Sequence, residues 1–432
     1  MLGWEHLTVN SLGHLAIGGR DTLALAEEYG TPLFVMSEEA IRENCRLYRR
    51  SIERFYGGNG LAAYASKAFC CKAICRMVQE EGLGLDVVSA GELYTAKAAD
   101  FPMDKVIFHG SNKTAEELTM ALEYGVGRIV ADNLTELRTL DALAAAKGTT
   151  APVMLRVKPG IDAHTHEFIR TGQIDSKFGF ALETGEAMAA VKEALAAKEL
   201  ELLGLHCHIG SQIFDIEPFC HAARVMLSLM AEIRQRTGLT LRELNLGGGF
   251  GVRYQEQDPQ VDIPGNIRAL AEHLEAGCKE KGYPLPRILL EPGRSIVADA
   301  GVTLYRVGGV KTIEGYRSYV TVNGGMTDNP RYALYQAPYT VLPADRMNDP
   351  ADFLCSVAGR CCESGDLIQE NIHLPQMQRG DLLAVLTTGA YNFTMASNYN
   401  RLCRPALVML RDGKAHLAVR RQTFEDLTAC EL

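Results

Sequence analysis

From residue 61 onward, short apolar runs alternate with amphipathic stretches, and the alternation holds for about 235 residues, the size of a barrel of eight strand–helix units. The apolar runs cover 61–66, 84–88, 105–109, 128–131, 153–157, 202–208, 243–246 and 288–291. They are rich in Val, Ile and Leu without strict alternation, as expected of strands covered on both faces. Between them, apolar positions recur at helical spacing over 71–81, 91–99, 115–124, 134–146, 183–197, 218–236 and 267–281. The pattern predicts an α/β fold, a (β/α)8 TIM barrel. A doubly wound open sheet is the alternative.

The flanks are patterned differently. Residues 6–10 and 14–18 alternate around Asn10-Ser11-Leu12-Gly13, which predicts a hairpin. Beyond about residue 298 strand signals dominate, at 302–307, 318–322, 354–358, 382–386 and 405–410. The last of these is expected to pair with 416–419 across Asp412-Gly413. The expected organisation is a segment 1–36 that joins the β domain, a barrel over 37–297, and an all-β domain over 298–432. A chain of 432 residues exceeds one hydrophobic core, in keeping with two domains.

A net charge of −9 with no Lys/Arg block argues against a nucleic-acid surface. No apolar stretch reaches bilayer length, and the first ten residues lack a signal-peptide pattern, so no membrane association is expected. The twelve cysteines show neither paired zinc spacing nor the framework of a small secreted domain, which points to reduced thiols and a cytoplasmic location. The sequons at Asn112, Asn133 and Asn392 are then chance occurrences.

Active sites of such barrels lie at the C-terminal ends of the strands. Here those ends carry Lys67, Asp86, His109, Arg156, the run His206-Cys207-His208-Ile209-Gly210-Ser211, the glycines Gly247-Gly248-Gly249, and Glu291-Pro292-Gly293-Arg294. A lysine delivered by an apolar strand needs a partner or a task, and one such task is a Schiff base with an aldehyde cofactor. The glycine run lets backbone N–H groups approach a phosphate, and Ser211 can add a hydroxyl. A carboxylate such as Glu291 can keep a pyridine nitrogen protonated, and His208 can lie against the ring. Taken singly, each has a plain structural use: a strand-end lysine reaching solvent, a tight turn, a salt bridge. His206-x-His208 and His164-x-His166 could pair on a metal, but no matching carboxylate–histidine set accompanies the second pair, which sits in a polar loop, and no metal is expected.

Tyr64-Ala65-Ser66-Lys67, His208-Ile209-Gly210-Ser211, Gly247–Gly249 and Glu291–Arg294 together resemble the fold type III decarboxylases that depend on pyridoxal 5′-phosphate. That group joins an alanine-racemase-type barrel to a β domain. Further motifs resemble its diaminopimelate decarboxylase branch: Pro159-Gly160-Ile161-Asp162-Ala163-His164-Thr165-His166, Asp175-Ser176-Lys177-Phe178-Gly179-Phe180, Cys362-Glu363-Ser364-Gly365-Asp366 and Met395-Ala396-Ser397-Asn398-Tyr399-Asn400. The resemblance implies decarboxylation of meso-2,6-diaminopimelate to L-lysine and CO2, the last step of lysine biosynthesis. A sister enzyme for ornithine, arginine or D-lysine is the alternative. It implies that Lys67 carries the cofactor and His208 stacks on it. Asp86, Ser211, Gly248, Gly249, Glu291, Pro292, Gly293, Arg294 and Tyr391 are implied to complete the cofactor site. Arg294, Arg331, Tyr335, Glu363 and Tyr391 would bind substrate, with Cys362 or Lys67 returning a proton to Cα. Cys362 and Glu363 would enter from the neighbouring subunit of a homodimer with shared active sites. Two places depart from the family pattern: Asn323, where an acidic residue is common, and Leu402-Cys403.

Overall fold

Parallel strands whose last member pairs with the first have no free edge, and this closure organises the larger part of the chain. The computed structural model describes residues 4–161 and 177–432. Three short strands come first, β1 (Leu7–Val9), β2 (Leu15–Ile17) and β3 (Arg20–Asp21), then β4 (Leu33–Ser37). Next come β5 (Gly60–Ala65), β6 (Gly84–Val87), β7 (Val106–Phe108), β8 (Arg128–Ala131), β9 (Ala151–Lys158), a two-residue β10 (Phe180–Ala181), β11 (Leu200–His206), β12 (Glu243–Asn245) and β13 (Arg287–Leu290). All strands from β5 to β13 pair in parallel, and β13 pairs with β5, with Leu289 opposite Leu61. The barrel is therefore closed with eight strands, β10 lying outside the ring beside β9, and the open-sheet alternative falls away.

The chain divides into two compact units. One comprises Asn44–Gly251 and Gln260–Gly293, the barrel; the other comprises Met1–Glu43, Val252–Pro259 and Arg294–Leu432. Inside the barrel Leu61, Ala63, Ile107, Val130, Met154, Leu203 and Leu289 form a packed layer. The helices begin and end where side chains can satisfy their free backbone groups. Thr114 and Glu117 form a capping box on helix Ala115–Tyr124, and Asp262 caps helix Ile263–Lys281, which starts four residues before its apolar periodicity suggests. Helix Glu38–Phe55, ahead of the first barrel strand, has no counterpart among the predicted elements.

The sheet-rich unit is built on β14 (Gly301–Ile313), which pairs antiparallel with β4, with β15 (Arg317–Val322) and with the strand Leu382–Leu386. Its core takes Leu7, Leu15, Ile17, Leu33 and Val35 from the N-terminal strands together with Val302, Leu304, Leu386 and Val408. The N-terminal hairpin thus joins this domain. The closing hairpin turns on Asp412 and Gly413, both at positive φ (50° and 69°), which matches the twist of a two-residue connection. Asn323 has a clear structural use. Its Nδ2 donates to Thr31 O (3.0 Å) and Thr31 Oγ1 (2.8 Å), and its Oδ1 accepts from Arg306 N (3.0 Å). An aspartate there would set a carboxylate oxygen against the Thr31 carbonyl. Nothing in the structure explains Leu402-Cys403. No helix among the described residues is long and apolar enough to cross a membrane.

At the N-terminal end of the barrel, Arg128 on β8 donates from Nε and Nη2 to both oxygens of Glu243 on β12 (2.7 and 2.6 Å), and both residues are buried. Removing one partner leaves the other charge without compensation. Glu243→Ala is expected to lower the unfolding free energy by about 3–5 kcal/mol. Glu201→Ala, which removes the exposed partner of Arg242, should leave it nearly unchanged. Denaturant unfolding of both variants checks this, and equal losses would contradict it.

Candidate active site

Above the apolar layer, the barrel strands deliver ionisable groups. In register, His206 closes β11 opposite Asn245, the last residue of β12, and opposite Arg156 on β9. Glu291 follows β13 directly and is buried. Three N–H groups converge on its carboxylate. Asn245 Nδ2 and His109 Nε2 each lie 2.6 Å from Oε1, and His206 Nε2 lies 3.1 Å from Oε2. Burial alone would raise the Glu291 pKa, but the two imidazoles and their hydrogen bonds outweigh it and hold the group well below the usual carboxylate range. Glu291 is therefore ionised. His206 is pushed down to about 4, chiefly by burial, and stays neutral.

His109, His206 and Glu291 place their ligand atoms within 4.8 Å of one another, the one such cluster of metal-ligand atoms among the described residues. Here each imidazole Nε2 is turned toward a Glu291 oxygen as a hydrogen-bond donor, so the arrangement is accounted for by that carboxylate. His164 and His166 lie outside the described residues, as do Asp162–Thr165 of their motif and Asp175-Ser176 of the next.

The loop after β7 that carries His109 is locked by a buried lysine. Lys113 Nζ donates to Gly110 O and Val130 O, both at 2.8 Å, and pairs with Glu136 at 2.7 Å. Arg156 lies over the Phe178 ring, 4.2 Å from its centroid, which gives the Lys177-Phe178-Gly179 motif a role in holding that guanidinium. Asp86 is a buried residue within β6, with Oδ1 3.8 Å from His109 Nε2.

Lys67 occupies a 3-10 turn, Ser66–Ala68, just beyond β5, and it is exposed. The sequence pattern predicts a half-buried lysine ending a strand, whereas the strand stops at Ala65 and Lys67 falls in the following turn, exposed. Its charge still acts on Asp86, Glu92 and His208. His208 lies two residues past the end of β11, and its imidazole is held well below the ordinary value, first by burial and then by the Lys67 and Arg156 charges. It is neutral.

The loops after β11 and β12 are tied together. Ile213 N donates to Gly249 O (3.0 Å) and Gly251 N to Ile213 O (2.9 Å), which brings the Gly210-Ser211 turn beside the glycine run. A Cβ on Gly248 would stand 2.0 Å from the Glu291 carbonyl oxygen, so only glycine fits between these loops. At Gly293 the fit is tight but less strict, with a Cβ there 3.0–3.1 Å from Ala65 and Ala68, and Pro292 O accepts from Ala65 N. The barrel unit thus gathers Lys67, Asp86, His208, Ser211, Gly248, Gly249, Glu291, Pro292 and Gly293. A reactive amine, a buried ionised carboxylate, a neutral imidazole and a glycine-lined loop with a hydroxyl are the donors that a pyridoxal phosphate requires.

The sheet-rich unit carries the remaining candidates. Arg294 Nη1 donates to Tyr254 Oη (2.5 Å) and lies over the Tyr391 ring (4.8 Å). Arg331, at the start of helix Arg331–Tyr335, lies over the Tyr254 ring (4.4 Å). Two buried guanidinium groups therefore flank one tyrosine. Tyr335 ends that helix, partly exposed. Cys362 and Glu363 are exposed in the single chain, with Cys362 N donating to Asn400 Oδ1 (2.6 Å). Sequence reasoning did not single out Asn245 in the barrel, nor, in the sheet-rich unit, Tyr254 or Tyr339, whose hydroxyl accepts from Arg331 Nη1 (3.4 Å). Asn245 had a signal, an amide closing an apolar strand, but the tyrosines had none.

Residues 38–298 match the family model for the pyridoxal-binding domain of pyridoxal-dependent decarboxylases. The chain is 48% identical over 423 residues to the diaminopimelate decarboxylase of Bacillus subtilis (strain 168), which covers 98% of this chain and 96% of that protein. It superposes with TM-score 0.94 on diaminopimelate decarboxylase from M. jannaschii in complex with L-lysine, at 36% identity, covering 100% and 99% of the two chains. The Helicobacter pylori enzyme, also complexed with L-lysine, gives TM-score 0.86 at 31% identity, covering 95% and 99%.

Burial pushes the Asp86 carboxyl up to about 6, against the pull of His109 and with Glu291 adding to the rise. In the unfolded chain it titrates near its ordinary 3.8. Between these values the folded protein holds a proton that the unfolded chain has released, so this group's contribution to stability falls as pH rises through the window. Asp86→Asn should therefore raise the Tm of the cofactor-free protein at about pH 8 and lose that advantage near about pH 4. Thermal unfolding across pH checks this, and an advantage that grows toward low pH would contradict it.

Proposed function

The chain belongs to the pyridoxal-dependent decarboxylases, and from that membership we propose how its residues divide the work of a diaminopimelate decarboxylase. The enzyme is a carboxy-lyase that converts meso-2,6-diaminopimelate to L-lysine and CO2, the closing step of lysine biosynthesis. The observation that carries the residue-level reading is Glu291, buried and ionised under three N–H donors.

Bound pyridoxal 5′-phosphate supplies an electron sink for the pair left behind when CO2 departs. Lys67 anchors the cofactor through Nζ; it is the exposed residue of a turn whose other two members, Ser66 and Ala68, are buried. Glu291, kept ionised by His109, His206 and Asn245, would hold a proton at the ring nitrogen. Neutral His208 lies against the ring, and Asp86 balances the Lys67 charge. Ser211, Gly248 and Gly249 cradle the phosphate, with Pro292, Gly293, Arg294 and Tyr391 completing the cofactor site. Arg294 and Arg331, with Tyr335, bind the distal carboxylate, a group that ornithine and lysine lack. Glu363 binds the distal ammonium. Cys362 or Lys67 returns the proton to Cα.

We also infer a homodimer in which Cys362 and Glu363 serve the neighbour's site; their exposure in the single chain supports this. Twelve free thiols support a reducing, cytoplasmic setting.

Enzyme loaded with pyridoxal phosphate should release CO2 and lysine from meso-diaminopimelate, and be nearly inactive on ornithine, arginine and D-lysine. A preference for any of these three would replace the substrate reading. Lys67→Ala and Cys362→Ala should each be inactive. Mixed as exchanging subunits, they should recover up to about a quarter of wild-type activity, because half the dimers are mixed and each of those carries one intact site. If exchange is verified and no activity returns, the shared-site arrangement is wrong.

A further inference from the structure

The Cys362–Asp366 motif ends on an aspartate that no role so far described has used. Asp366 is buried, and its two oxygens reach different segments of the chain. Oδ1 accepts from Met326 N (2.6 Å), in the segment that leads into Arg331. Oδ2 accepts from Cys361 N (2.7 Å), the residue just before Cys362 and Glu363. The backbone of Asp366 continues the lock, donating from N to Glu363 O (3.1 Å) and accepting at O from Gly359 N (2.9 Å). A direct bond, Arg360 N to Gly324 O (2.9 Å), runs alongside.

The surrounding glycines exist to admit this carboxylate. A Cβ on Gly359 would stand 2.2 Å from Asp366 Oδ2, and one on Gly325 would stand 2.5 Å from both oxygens. Real Cβ contacts do not come this close, so two glycines and one aspartate form a single fitted unit. Beside it, Asp328 accepts from Gly325 N (3.2 Å), Thr327 Oγ1 (3.0 Å) and Tyr305 Oη, and so fixes the same segment from its other side.

We propose that Asp366 is a positioning residue that sets the Arg331 segment and the Cys362–Glu363 turn in one register, and thereby sets recognition of the distal end of the substrate. The inference rests on the assignment of Arg331 and Glu363 to substrate binding made above. If Cys362 and Glu363 serve the neighbouring subunit, one carboxylate fixes groups belonging to both active sites of the dimer. An Asp366→Asn side chain offers one good acceptor to two N–H groups and turns its own NH2 against the other, so one of the two loops is released.

The test compares kcat/KM of the holoenzyme on meso-diaminopimelate with that on 2-aminoheptanoate, which keeps the reacting end but lacks both the distal carboxylate and the distal amine, so that release of either segment is read. In Asp366→Asn the preference for diaminopimelate should fall about tenfold or more, with the cofactor absorbance retained. Gly359→Ala, which displaces the carboxylate without removing it, should show the same selective loss and decides the matter if Asp366→Asn does not fold. Parallel losses on both substrates, no loss on either, or failure of both variants to fold would each overturn the proposal in favour of a purely structural role. Inactivity of the wild-type enzyme on diaminopimelate would instead overturn the assigned substrate, so the two failures are read from different proteins.

Discussion

A carboxylate buried at the end of β13 stays charged only because three N–H groups are aimed at it, and much of the upper barrel serves that end. Taking an ion out of water costs several kcal/mol, so an unsupported Glu291 would take up a proton. Asn245, His109 and His206 arrive from three other strand ends at 2.6–3.1 Å. The closed barrel makes the convergence possible, because parallel strands in fixed register present their last residues to one rim. Lys113 with Glu136, and Arg156 with Phe178, then hold the loops and side chains around that rim.

Charge in this layer is arranged, not merely accumulated. Glu291 is ionised, His206 and His208 are neutral, and Asp86 titrates near 6. Under the proposed roles, a pyridine nitrogen held at Glu291 would meet a full negative charge, and a ring held at His208 would meet an uncharged imidazole. That contrast is what a carbanion-stabilising cofactor needs, since a proton kept on the nitrogen draws electrons away from the reacting carbon. The sheet-rich unit uses a different device. There Arg294 and Arg331 are buried against Tyr254, Tyr339 and Tyr391, whose ring faces accept cations without neutralising them.

The barrel and the β domain were legible in the sequence because strand periodicity and turn residues are local signals. Helix 115–124 and strand 382–386 fall where the pattern predicts, and the Asp412-Gly413 turn forms as its residues require. Lys67, Glu291 and the glycine run were legible for another reason: each is chemically costly at the end of an apolar strand. What could not be read depends on distant parts of the chain. His109 contacts a residue 182 positions away, and Asn245 one 46 positions away. Neither separation leaves a periodic trace. Lys67 differs from expectation because a 3-10 turn of only three residues redirects it, a feature below the resolution of apolar spacing. Asp366 sits inside a motif that was visible, but its use depends on Met326, which pattern alone does not connect to it.

The central claim is that an ionised Glu291 makes the cofactor an effective electron sink, and the most direct measurement is of Glu291→Gln with cofactor retained. The amide preserves shape and keeps one acceptor but removes the charge, and a charge-assisted hydrogen bond contributes roughly 1.5–3 kcal/mol. The account predicts that the variant still binds pyridoxal phosphate, with its visible absorbance present, while decarboxylation of diaminopimelate falls by about 10- to 150-fold. Decarboxylation at a near-normal rate by Glu291→Gln would contradict it.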